Sequence, residues 1–225
     1  MKVISVIAFA IFIIGVYPHG HIVDPPARNW IWTDPRFPDQ PPNFNSQGVW
    51  CGDVECWECP PAFYIPQDEA FSRCGMCGDD INRPTPRNHE HGGLFGNGHI
   101  GRTYSAGSVI QMHLVFGAMH CGYFEVDLCA DAVETPSCFQ RLQIVGGTER
   151  IRHDNRMCAP HFGGETRNIT ASIQLPANVR CNRCTLRWTY RTNYACFPNF
   201  PGDSACGVDP NPAQTFRNCA DIAIV

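Results

Sequence analysis

Fourteen cysteines lie between Cys51 and Cys219. An even, dense set constrains a chain either through metal-bound thiolates or through disulfides, and the redox compartment decides which. The N-terminus points to the compartment. Residues 1–18, MKVISVIAFAIFIIGVYP, carry one early Lys and then an apolar run from Val3 to Val16, the build of a secretory signal peptide. That run is shorter than the ~18 to 20 residues that cross a bilayer, and no later segment is apolar enough to span. The chain is therefore expected to be secreted and extracellular, with up to seven disulfides whose pairing the sequence leaves open. Cys56-x2-Cys59 followed by Cys74-x2-Cys77 is close to a zinc-ribbon spacing. In an exported chain with ten further cysteines, disulfides account for it better. Asn168-Ile169-Thr170 is a glycosylation sequon and predicts an exposed loop at Asn168.

Beyond the leader remain roughly 205 residues, enough for one β-rich domain with a sizeable core, residues 19–225. The formal charge is -4, and removing Lys2, the leader's only charged residue, takes it to about -5. The basic residues are scattered, so no footprint for nucleic acid is present. From Pro25 to about Gly107 the chain is punctuated by Pro, Gly, Asn and Asp, which predicts loops, turns and short helical pieces. Loops of this length need staples, and five cysteines fall between 51 and 77. The second half alternates instead. Ser108 to Phe116, Tyr123 to Leu128, Arg141 to Val145, Ile169 to Leu175, Thr185 to Arg191 and Cys219 to Val225 read as strands. Leu186, Trp188 and Tyr190 share one face, which belongs against a second sheet. Glu125, on an alternating strand, reads as a solvated charge. The class is all-β, an immunoglobulin-like β-sandwich with long disulfide-stapled loops and short helices.

Two of the nine histidines stand apart by context. His113, within a strand, and His153, among Arg residues, read as structural, and His89-x-His91 resembles a metal pair in a Gly/Asn-rich loop. His19 directly follows the apolar leader and opens HGHIVDPPAR. Cleavage before it would leave two nitrogens on one residue, the α-amine and the ring. An α-amine has an ordinary pKa near ~7.7 to 8.0, so a proton competes with a metal only mildly at neutral pH. Nitrogen donors favour copper most strongly among divalent first-row ions. Cleavage after Gly20 would begin the chain at His21 instead, and Pro18 is an awkward residue at the cut before His19. A second imidazole is offered by His120, at the seam between two predicted strands; the plainer reading is a hairpin histidine satisfied by backbone.

HGHIVDPPARNW near the start, CGMCGD at Cys74 to Asp79, HCGYFEVDLC at His120 to Cys129 and FRNCADIAIV at the terminus together resemble the ordered motifs of lytic polysaccharide monooxygenases. The similarity is to the animal-type group, auxiliary activity family 15, and it spans the whole chain beyond the leader. It implies a sandwich with a flat face around a histidine brace that holds one copper ion per chain. His19 and His120 correspond to the two metal ligands. Phe216 corresponds to the residue beside the copper axis, where many members have Tyr, and Ala118 to a small residue crowding the solvent-facing axial side. The implied reaction begins with copper reduced by a small-molecule or protein electron donor. Reaction with hydrogen peroxide or oxygen then yields an oxidant that cleaves an insoluble polysaccharide, chitin ahead of cellulose. A monomer without nucleic-acid or membrane partners is expected. Trp30, Trp32, Trp50, Trp57 and Tyr64 are the aromatics available to a flat binding face.

Carboxylates are few and show no catalytic pairing, and no GxSxG elbow is present, which disfavours a hydrolase. The rival from another class is a noncatalytic secreted protein that binds chitin or copper.

Overall fold

The computed structural model describes residues 19–51, 71–118, 121–159, 166–192, 206 and 214–225. In chain order its elements are β1 (His19–Asp24), a 3-10 turn (Ile31–Thr33), β2 (Trp50–Cys51), β3 (Arg102–Tyr104), β4 (Val109–Ala118) and β5 (Tyr123–Cys129). There follow β6 (Gln140–Arg141), β7 (Gln143–Gly147), β8 (Met157–Cys158), β9 (Arg167–Gln174), β10 (Cys181–Arg191) and β11 (Thr215–Ile224). They form two sheets. One has the order β1-β4-β9-β7, and the other β2-β11-β10-β5-β6, with β3 on β11 and β8 on β5. No helix among the described residues is long and apolar enough to cross a membrane.

Alternation explains why the sheets stack. Along β4, Ile110, Met112, Leu114 and Phe116 are buried while Val109, Gln111 and His113 face outward. On the opposing sheet Leu186, Trp188 and Tyr190 of β10 join Phe124, Val126 and Leu128 of β5 in the same core. Trp188 sits at its centre, 5.7 Å from the rings of Phe116 and Tyr190 and 6.1 Å from Phe124. The sandwich expected from the strand pattern is present, and the six predicted strand segments each fall on one or more observed strands.

Three expectations change, and the preference for disulfides over zinc holds at Cys74 and Cys77. The loop-rich half contributes β2 and β3, two edge additions to β11 too short to show a period. Asn168 is exposed but lies within β9, opposite Val115, rather than in a loop. Glu125 is buried, not solvated, because Arg141 and Arg156 both pair with it. The zinc-ribbon alternative fails because Cys74 is bonded to Cys51 and Cys77 to Cys219; Cys56 and Cys59 lie outside the described residues. Further bridges join Cys129 to Cys138, Cys158 to Cys206 and Cys181 to Cys184.

One buried ion cluster fastens the loop half to the sandwich. Arg28, 2% exposed, donates from Nε and Nη2 to the two carboxylate oxygens of Asp221 on β11, at 2.8 and 2.7 Å. Its Nη1 donates to Glu134 at 2.6 Å and to the His89 carbonyl at 2.8 Å. Burial alone would lower the Arg28 pKa, but Asp221 and Glu134 outweigh it and raise it. Burial likewise opposes ionisation of Glu134, and the hydrogen bond and charge of Arg28 overrule it, holding the carboxyl down to about 2. A carboxyl lowered on folding stabilises the native state above its ordinary pKa and loses that contribution as pH falls through the folded value. Stability from Glu134 should therefore decline between about pH 4.5 and 2. In Glu134→Gln, acid-unfolding curves should lose slope in that window; an unchanged slope would show that the cluster does not report on folding.

The bridges differ in the length of loop they close. Cys77–Cys219 spans 142 residues and Cys129–Cys138 spans 9. Loop-closure entropy assigns them about 5 and about 3 kcal/mol. Replacing both members of the 77–219 pair by Ser should thus lower the melting temperature more than the same change at 129–138, read by calorimetry. The reverse order would mean that native packing, not chain entropy, sets their contributions.

Candidate metal centre

The start of β1 and the end of β4 meet antiparallel. His19 lies opposite Ala118 and Gly20 opposite Phe116, so the register slips by one residue between them. Gly117 and Ala118 together face His19, the arrangement of a β-bulge. Glycine is needed at position 20 because a Cβ there would stand 2.8 Å from Cδ1 of Phe116. Neighbouring strands are spaced ~4.8 Å apart, and two further residues of chain reach at most ~7 Å. His120, two residues past Ala118, lies outside the described residues, but the segment that carries it starts beside His19.

The far side of that segment is also held. Cys121 and Gly122 have φ of 52° and 93°, and a Cβ at Gly122 would overlap the Arg191 carbonyl. The Tyr190 hydroxyl donates to the Cys121 carbonyl at 2.7 Å. Tyr190 also stacks on Phe216 at 5.9 Å and meets the edge of Phe116 at 5.3 Å. Phe216, on β11, is 1% exposed and lies opposite Tyr190 and Trp50. Sequence reasoning places Phe216 beside the metal; the structure makes it an interior aromatic under the sandwich end where β1 and β4 meet.

His21 is buried, and neither of its ring nitrogens has a hydrogen-bond partner among the described residues. Its ring stacks on Trp30 at 4.5 Å. Burial pushes its pKa down to about 4, so the imidazole is neutral at neutral pH. Three other histidines are engaged elsewhere. His89 meets Asp79 at 2.9 Å through Nδ1 and Asn43 at 3.1 Å through Nε2, while His91 Nδ1 takes Arg183 Nη1 at 2.8 Å. The two do not form a metal pair. His113 Nδ1 reaches Thr170 Oγ1 at 3.1 Å on the outer face of its sheet. Trp30 and Trp32 are half-buried, Trp50 is at the edge of exposure, and Trp57 and Tyr64 lie outside the described residues. Phe44, absent from the sequence reading, is 87% exposed and meets Trp32 edge-on at 5.5 Å. A lone Phe in a Pro/Asn-rich loop carries no periodic signal that could have singled it out.

Against this geometry, residues 19–222 match the family model described as lytic polysaccharide mono-oxygenase, cellulose-degrading. The chain belongs to the lytic polysaccharide monooxygenases. It is a copper-dependent polysaccharide monooxygenase, an oxidoreductase. Among solved structures it is similar to the family AA15 lytic polysaccharide monooxygenase of Thermobia domestica in the Cu(I) state. The identity is 33%, the TM-score 0.67, and the match covers 92% of this chain and 98% of that one. LPMO10B from Micromonospora aurantiaca is a more distant likeness, at 14% identity and TM-score 0.46 over 91% of this chain and 99% of that one. A comparison with curated proteins finds no match.

Tyr190→Phe isolates the anchor behind the turn of this monooxygenase. Losing the hydroxyl leaves the Cys121 carbonyl without that donor, which should cost about 1 to 3 kcal/mol in urea unfolding. A value near zero would show that the hydroxyl does not hold the turn.

Proposed function

We propose that cleavage before His19 releases a secreted, single-domain chain, residues 19–225, that binds one copper ion. The α-amine and imidazole of His19 and the imidazole of His120 supply three nitrogens. The observation that carries this reading is the backbone pairing of His19 with Ala118, which brings the start of β1 beside the segment leading to His120. Three neutral nitrogen donors suit copper. Bound copper supplies the one-electron redox chemistry that oxygen or hydrogen peroxide activation requires. Phe216 would offer no oxygen to the bound copper, and Ala118, by the family resemblance, would be the small residue that limits access to it.

The polymer is chitin, with cellulose second. Chitin rests on the resemblance to the animal-type group; the description of the matching family names cellulose, which makes it the direct comparison. Exposed Phe44 and partly exposed Trp50 offer rings to a flat polymer face, where sugar rings stack. A small-molecule or protein donor supplies electrons, the chain acts as a monomer, and Asn168 carries a glycan on an exposed strand face.

Copper-loaded mature chain, given ascorbate and either chitin or cellulose, should release oxidised oligosaccharides from chitin, read by mass spectrometry. Release from cellulose alone would exchange the substrates, and release from neither would overturn the reading. His120→Ala should lose tight copper binding, and an unchanged Cu(II) electron paramagnetic resonance spectrum would show the ligand assignment wrong.

A further inference from the structure

Where β1 meets β4, the backbone N–H groups of Gly20, on the edge strand β1, and of Gly117, at the bulge, bond outside both ladders. The β9 ladder along β4 ends at Phe116, opposite Arg167, and the slip in the β1 ladder leaves Gly117 with no opposing residue of its own. A buried or half-buried N–H without an acceptor is costly, so both donors need partners. One residue meets both needs. The Gln47 backbone carbonyl accepts the Gly20 N–H at 3.2 Å, and Oε1 of its side chain accepts the Gly117 N–H at 3.1 Å. Glycine at 117 is what admits the side chain, since a Cβ there would overlap Oε1 of Gln47.

We propose that Gln47 is a positioning residue of the copper site: it clamps the β-bulge that sets the relative placement of the strand ends leading to His19 and His120. This rests on the brace reading above. Gly20 is the residue after one ligand, and Gly117 stands three residues before the other.

Simple anchoring of the 43–50 loop does not explain the side-chain bond. That loop is held without it. Asn29 Nδ2 donates to the Ser46 carbonyl, the Arg217 N–H donates to the Val49 carbonyl at 3.3 Å, and Trp50 is in register with Phe216. Asn43 is tied to His89 at 3.1 Å. Removing Oε1 from Gln47 therefore leaves the loop its other ties and releases Gly117. Since bulges near active sites re-aim side chains, loosening this one alters where the ligands point rather than whether the sheet forms. The three strands around the proposed brace all meet this one loop: β1 at Gly20, β4 at Gly117 and β11 at Phe216.

The test uses the secreted chain with Gln47→Leu, which keeps the bulk and removes the acceptor, and Gln47→Glu, which keeps an acceptor oxygen. In the metal-free protein, amide exchange at Gly117 should quicken about tenfold in Gln47→Leu and stay near the parent rate in Gln47→Glu. With copper added, Gln47→Leu should still bind one equivalent but give an altered Cu(II) electron paramagnetic resonance spectrum, with Gln47→Glu resembling the parent. Gly117→Ala, which displaces the side chain from the other direction, should reproduce the Leu spectrum and stands in if the Leu variant does not fold. Parent-like exchange and spectrum in both Gln47→Leu and Gly117→Ala would overturn the clamp. That failure is separable from failure of the brace: retention of the parent spectrum by His120→Ala would remove the ligand assignment, whereas Gly117 exchange in metal-free protein reads the clamp alone.

Discussion

A buried guanidinium holds the loop half of this monooxygenase to its sandwich. Arg28 follows β1 by four residues, and its side chain reaches Asp221 on β11, Glu134 in the loop after β5, Thr185 on β10 and the carbonyl of His89. Glu134 in turn accepts the backbone N–H of His91 at 2.6 Å. Taking one cation and two carboxylates out of water is expensive, and only full hydrogen bonding offsets it. Here the groups satisfy one another. Because the partners come from separated parts of the chain, the cluster cannot be completed until sandwich and loops are both in place.

The consequence reaches the metal centre through β1. At one end that strand is paired with β4; just past its other end the Arg28 N–H donates to the Cys219 carbonyl of β11 at 2.8 Å, and Cys219 is bridged to Cys77. A strand fixed at both ends presents its first residue in one place, which the proposed brace on His19 requires. The chain on either side of the proposed ligand His120 is held in a similar way, by the Gly117 bulge before it and by Tyr190 at Cys121 after it. Pre-organisation of this kind comes from rigid strands rather than from the loops themselves.

Much of this was legible. Alternation in 108–116, 123–128 and 185–191 marked the core faces because side chains on a strand point to opposite sides with period two, and a buried face selects apolar residues. The compartment argument separated disulfide from zinc at Cys74 and Cys77. The ordered motifs singled out His19 and Phe216, and the structure puts the backbone of the first and the buried ring of the second at the end of the sandwich where β1 meets β4. The strand pattern cannot show that Glu125 is buried, because facing outward on one strand says nothing about what covers that face; two arginines do. At Asn168 the sequon reports only exposure, which a strand's outer face provides as well as a loop does. Phe44, Gln47 and the pairing of Arg28 left no local mark.

By itself, then, the order of residues determined the sandwich, the need for staples and the candidates for a copper brace, since periodicity, cysteine density and linear motifs are properties of neighbours along the chain. Tertiary structure alone decided which cysteines join, which charges are buried together, and that the bulge at His19 and Ala118 is closed by a residue nearly thirty positions from one strand and seventy from the other. Those are contacts between distant segments, whose partners are chosen by how two sheets and their loops fill space.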